Sequence, residues 1–263
     1  MCESCPSTSR RSFLKTMGLG ALAVTIAPRS LFAGHGEEPK VAKATKATAT
    51  HATATHATPT AHATHASAGV TPDEALTRLL EGNKRFIANR MFHPNEGMEQ
   101  RAKLATGQWP FAAVLGCADS RVPPEIVFDH GLGDIFTVRV AGNIVEDAGS
   151  GSMEYAIEHL GVPLIVVLGH ERCGAIKATI EALETQGEVP GHIGELVKKL
   201  KPAVDGTKSQ PGDKVDNAVR ENAKRMAAEL ANMDPILREK VKEGKLKVVA
   251  MRYDLDTGSV ELL

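Results

Sequence analysis

The chain has almost no excess of either charge: 31 Lys and Arg face 32 Asp and Glu over 263 residues, a formal net charge of −1. Without a basic surplus there is no electrostatic ground for nucleic-acid binding, where neutralising phosphates dominates affinity. The mildly apolar stretch Met17 to Ala27 is too short to span a bilayer, so stable membrane insertion is not expected once the leader is cleaved. Cysteine is limited to four residues, and two of them, Cys2 and Cys5, stand at the extreme N-terminus. Only Cys117 and Cys173 remain for the folded part. Tryptophan occurs once, at Trp109.

Ser9-Arg10-Arg11-Ser12-Phe13-Leu14-Lys15 is a twin-arginine sequence ahead of that short apolar stretch. The combination reads as a Tat export signal over residues 1–33, with cleavage after Ala33 and a mature start near Gly34. Localisation is therefore expected to be periplasmic, or otherwise exported in a folded state. Cys2 and Cys5 leave with the signal. Residues 34–69 are rich in Ala, Thr and His, and His-Ala-Thr recurs at His51, His56 and His62. The segment has almost nothing large and apolar to bury, so it cannot offset the entropy of ordering and is expected to be a disordered linker. Its histidines hold no fixed helical spacing, which favours a solvated spacer over a chelating tract. The remainder, residues 70–263, fits one domain.

Within that domain Thr71-Pro72-Asp73-Glu74 starts a helix, with a hydroxyl cap, a first-turn proline and acids at the positive end of the dipole. Two short apolar runs, Phe111 to Leu115 and Leu164 to Leu168, lack period-2 alternation and are bounded by Gly or Pro. They read as strands buried on both faces, as in parallel sheets. A further strand is expected at Ile135 to Val138, with late strands over Lys245 to Arg252 and Ser259 to Leu262 around an Asp-Thr-Gly turn. Helices are expected over Ser152 to Leu160, Gly174 to Glu184 and Val215 to Leu230, and after Asp234-Pro235. The alternation defines an α/β fold, a mostly parallel β-sheet flanked by helices.

Each of the two buried runs ends in a glycine followed by a zinc-type ligand, Cys117 after the first and His170 after the second, with Cys173 at i+3. Sites in open α/β sheets form beyond the carboxyl ends of strands, so two thiolates and an imidazole reach one sheet edge and can share a metal ion. Cys2His is a zinc set, and three protein ligands leave a fourth position for water or substrate. Coordination would also keep Cys117 and Cys173 from pairing in an oxidising compartment. Asp119 is placed to be either a fourth zinc ligand or the acceptor for a zinc-bound water, and Arg121 to hold that carboxylate by a fork. The bland alternative is a surface ion pair of small value. Cys173 precedes a helix start, whose dipole favours its thiolate, and Gly174 lets the backbone come close to a bound molecule.

Cys117-x-Asp119-Ser120-Arg121, Arg139-x-Ala141-Gly142-Asn143 and His170-x-x-Cys173-Gly174 resemble, in order and spacing, the signature of the β-class carbonic anhydrases. The resemblance implies a β-carbonic-anhydrase-like fold and a Zn2+ cofactor on Cys117, His170 and Cys173. It makes Asp119 and Arg121 a catalytic dyad that gates the open position, with Asp119 on zinc in a closed state. It further implies a homodimer or higher homo-oligomer with sites near the interface. The activity implied is reversible hydration of CO2 to bicarbonate and a proton, by attack of zinc-bound hydroxide. Two departures stand out. His130 occupies the turn before the second strand where Gln is common, which makes it a candidate substrate contact beside Gly174. Val114 stands where bicarbonate-inhibited members carry tryptophan, which argues against that allosteric pocket. The alternatives are a carbonyl sulfide or carbon disulfide hydrolase on the same site, a non-catalytic zinc-stabilised bicarbonate-sensing or interaction protein, and a metal-free Cys117/Cys173 redox pair.

Overall fold

The computed structural model describes residues 69–187 and 189–263. The signal expected over 1–33 and, apart from Gly69, the linker expected over 34–69 lie outside the described residues. The elements run α1 Pro72–Ile87, α2 Met98–Leu104, β1 Ala112–Gly116, α3 Pro124–Val127, β2 Ile135–Arg139, α4 Asp147–Leu160, β3 Leu164–His170, α5 Gly174–Thr185, α6 Ile193–Thr207, α7 Lys214–Ala231, α8 Ile236–Lys242, β4 Lys247–Tyr253 and β5 Val260–Leu262. The five strands lie in the order β2-β1-β3-β4-β5. Every pairing is parallel except the final β4–β5 hairpin. The fold is thus the mostly parallel, helix-flanked α/β sheet the sequence predicts.

Burial follows strand alternation. Ala113, Leu115, Ile165 and Val167 point into one core layer, with Met153 of α4 and Val219 and Ala223 of α7. Ala112, Val114, Leu164, Val166 and Leu168 point into the other, with Ala75 and Leu79 of α1 and with Phe128. Both β1 and β3 are fully buried, because helices cover both faces of a parallel sheet. Among the described residues no helix is long and apolar enough to cross a membrane.

Helix α1 begins with a complete capping box, Thr71 and Glu74 each bonding the other's backbone, which satisfies two orphan donors of the first turn. It seats on the loop after α3 so closely that a Cβ at Gly82 would lie 1.7 Å from the Phe128 carbonyl oxygen. Beside it, buried Asn83 donates to the Val127 and Gly258 carbonyls and accepts from the Val260 N–H. Gly82→Ala therefore has to push the helix off its seat, a clash with backbone that no rotamer relieves. The expected cost is about 3 kcal/mol or more, read as a fall of roughly 6–12 °C in Tm. An unchanged melting curve would mean that α1 is not seated on Phe128.

Three differences from the sequence expectations concern helices. Helix α4 starts at Asp147, five residues before Ser152, and runs through buried Gly149 and exposed Gly151. Helix α6 was not expected at all, and it runs through Pro202. The proline removes one bond at about 3 kcal/mol, but burying Leu200 and Val204 returns roughly 1.5–3 kcal/mol each. The short α2 and α3 were likewise not expected.

Candidate metal centre

Because β1 and β3 are adjacent and in register, with Gly116 opposite Leu168, their carboxyl ends deliver Cys117 and His170 side by side. The chain then turns through Glu171 and Arg172, and Cys173 caps the N-terminus of α5. One ligand atom from each of Cys117, His170 and Cys173 lies within 4.8 Å of the others, so the three could hold a metal ion. All three residues are buried, and both cysteines are free thiols rather than a disulfide.

Protonation favours coordination. His170 Nδ1 lies 2.9 Å from the Glu171 carbonyl oxygen, which can only accept, so Nδ1 carries the proton and Nε2 keeps its lone pair. Buried Nε2 has no hydrogen-bond partner, an arrangement that is costly unless something else uses the lone pair. The Cys117 thiol is pulled well below its ordinary value, first by the hydrogen bond from Cys173 and also by the Gly142 and Asp119 N–H groups, against the opposing effect of burial. Cys173 is driven up by that same bond to Cys117, by burial and by the Cys117 charge. Two soft sulfur donors and an orphaned imidazole nitrogen fit a zinc-type ion, which would take both sulfurs as thiolates.

Asp119 stands over the cluster and is tied to Arg121. Its Oδ1 accepts from the Arg121 backbone N–H at 3.0 Å and from Nε at 2.9 Å, and Oδ2 accepts from Nη2 at 2.7 Å. The Arg121 fork holds this carboxyl well below the usual carboxylate range, against some desolvation. Oδ2 is 3.8 Å from His170 Nε2, so the carboxylate is beside the cluster while three of its roughly four acceptor sites are taken by the arginine.

Two further supports come from the Arg139-x-Ala141-Gly142-Asn143 segment. The Gly142 N–H points at Cys117 Sγ from 3.3 Å. That residue has φ +74°, a left-handed conformation that favours glycine, and a Cβ there would crowd Leu200 Cδ1 at 2.9 Å. Arg139 donates to the carbonyl oxygens of Cys117 and Asp119, fixing the loop that carries both. Arg139 and Gly142 belong to the motif noted in the sequence, but only the structure gives them these contacts.

Gly174, the first residue of α5, has open space around a would-be Cβ, so no packing in this chain demands glycine there. His130 is placed apart from the cluster. Its partners are the Arg78 carbonyl at 3.4 Å, Asp134 at 3.6 Å and the edge of Phe111. It lines a surface cavity of about 630 Å3 with Met91, Ile126 and Leu132, and none of the three candidate ligands borders that cavity.

Fold and site together define a parallel-sheet α/β protein with a buried Cys2His cluster, overlooked by a carboxylate–guanidinium pair. A family model described as "Carbonic anhydrase" matches residues 112–260. The "Carbonic anhydrase" of Mycolicibacterium smegmatis is 42% identical over 192 residues, covering 73% of this chain and 93% of that protein. "Carbonic anhydrase 2" of Mycobacterium tuberculosis is 42% identical over 192 residues, covering 73% and 92%. Among solved structures, a β-carbonic anhydrase from Sordaria macrospora, one of two described as tetrameric, superposes with a TM-score of 0.58 at 26% identity, covering 72% of this chain and 96% of that one. The chain belongs to the β-class carbonic anhydrases, a family of enzymes.

Proposed function

We propose that the protein catalyses the reversible hydration of CO2 to bicarbonate and a proton, with zinc held by Cys117, His170 and Cys173. The observation that carries this reading is the pairing of three buried donors within 4.8 Å with an Asp119 carboxylate turned away to Arg121. Three protein donors leave one position for a reactant, whereas a fourth would close the site.

Bound zinc would acidify a water and so supply the nucleophile for CO2 at near-neutral pH. Asp119, kept ionised by Arg121, accepts a hydrogen bond from that nucleophile and sets the direction of its lone pair. Arg121 keeps the carboxylate from occupying the reactant's position. Arg139 holds both the Cys117 and Asp119 peptides, so donor and acceptor move as one unit. The open space at Gly174 leaves room for substrate beside Cys173. His130, lying outside the cluster in one chain, would reach a substrate only from a second copy. A homo-oligomer belongs to this reading and is supported by the tetrameric relatives from Sordaria macrospora.

Zinc analysis and zinc-edge X-ray absorption test the ligand set. One zinc per chain is expected, with two sulfurs near ~2.3 Å and light donors near ~2.0–2.1 Å. Stoichiometric zinc without sulfur neighbours would contradict it.

Export through the twin-arginine route belongs to the same proposal, since that route moves folded proteins and metal would be loaded beforehand. Replacing Arg10 and Arg11 by lysine keeps the charge but loses the address. Active precursor should then accumulate in the cytoplasm, and undiminished periplasmic activity would count against the signal.

A further inference from the structure

Between His170 and Cys173 the chain has to turn from β3 into α5 in two residues, and it does so with Arg172 at φ +54°. A non-glycine residue holds that left-handed conformation only when its surroundings fix it. The surroundings here come from the β4–β5 hairpin. The Glu171 N–H donates to the Tyr253 carbonyl at 2.9 Å. Glu171 Oε2 accepts from the Leu255 N–H at 3.2 Å and lies 3.4 Å from Arg172 Nη2. Glu171 Oε1 lies 3.7 Å from Arg252 Nη2. Arg252 is in turn held by Asp216 of α7 and by Asp254.

Glu171 is also the residue whose carbonyl accepts the His170 Nδ1 proton. That bond sets both the tautomer and the ring orientation of the imidazole, a role that outer partners of metal-binding histidines commonly play. We infer that Glu171 is a positioning residue for His170: its carboxylate, anchored on the Leu255 N–H and flanked by Arg252, fixes the peptide that aims Nε2 at the two cysteines. The inference rests on reading Cys117, His170 and Cys173 as the zinc ligands.

A second tether, the Arg172–Asp256 fork at 2.7 and 3.0 Å, is the weaker candidate. The Asp256 side chain is 68% exposed, against 20% for Glu171 and 11% for Arg252. Solvent and salt screen the first pair far more than the second.

The test is a chelator-competition titration of zinc into the apoprotein, with the absorption spectrum of the cobalt-substituted protein as a second readout. Glu171→Ala is expected to weaken zinc binding by about 10–100-fold and to shift the cobalt bands, because the imidazole loses its fixed orientation. Glu171→Gln, whose amide oxygen can still accept from Leu255, should recover most of the affinity and the spectrum. Glu261→Ala serves as control. It breaks the Arg220 contact that ties β5 to α7 without touching the ligand loop, and should bind zinc as the unaltered protein does.

Wild-type affinity and spectrum in Glu171→Ala would overturn the inference. So would equal losses in Glu171→Ala and Glu261→Ala, which would reduce the effect to hairpin stability. A glutamine variant as weak as alanine would overturn the hydrogen-bond assignment. Should the alanine variant not fold, Glu171→Met, of similar length but unable to accept, must show the same loss relative to glutamine. If the unaltered apoprotein takes up no zinc, the ligand reading fails instead, and the two failures are thereby distinguished.

Discussion

Replacing Cys173 by serine is expected to give a folded protein that carries little zinc and hydrates CO2 at least about 100-fold more slowly, since even outer partners of a metal cost 10–100-fold when removed. The volume change is small and the side chain is buried at the N-cap of α5, where serine is a favourable residue. Folding is therefore not what suffers. The loss falls on the donor: a hydroxyl is a poor replacement for a soft thiolate. Metal analysis of the purified variant, with circular dichroism as the folding check, reads both parts. Stoichiometric zinc and normal turnover in C173S would remove Cys173 from the ligand set.

The second large effect is expected at Arg121. Asp119 Oδ2 is already 3.8 Å from His170 Nε2, and what occupies its oxygens is the arginine. In Arg121→Ala the freed carboxylate should turn onto the metal, close the fourth position and lower kcat by about 10–100-fold while zinc stays bound. Asp119→Ala should also lose activity, but with the metal position open and only the acceptor missing. The pH dependence separates Asp119 from the reacting group. Because its folded pKa is depressed, Asp119 is ionised throughout the neutral and alkaline range. Whatever stability the half-exposed pair contributes is present above the ordinary carboxylate value near ~4 and is lost only as pH falls below it. On the proposed zinc mechanism, a rise in activity from neutral to mildly alkaline pH would report ionisation of the attacking water, which two anionic sulfur donors would make less acidic than three imidazoles. Full activity across that range in Arg121→Ala, with an open zinc position, would show that Asp119 needs no partner to stay off the metal.

What could be read from the chain follows physical lines. The runs at Leu115 and Leu168 announce buried parallel strands because helices on both faces remove any need for alternation, and their ends locate Cys117 and His170 together. Asp119 and Arg121 follow from their distance along the chain to Cys117. Helix α6 was hidden because Pro202 argues locally against it, while the burial that sustains it is tertiary. The start of α4 is hidden by Gly149 and Gly151, which argue locally against a helix. The Gly142 N–H beside Cys117, and the Leu255 N–H beneath Glu171, are backbone donors brought in by distant segments, and no side-chain pattern marks them. His130 shows the reverse case. Its place in the turn before β2 is clear from the sequence, yet within one chain it meets Phe111, Asp134 and Arg78 rather than the ligands.

The most direct test of the account is stopped-flow CO2 hydration by one preparation in three states: as purified with its zinc, after exhaustive chelation, and after zinc is restored. The account predicts catalysis that climbs from neutral into mildly alkaline pH, disappears with the metal and returns in proportion to the zinc taken up. A zinc-replete protein that shows no hydration above the uncatalysed rate at any alkaline pH, or one whose hydration survives complete zinc removal, would contradict it.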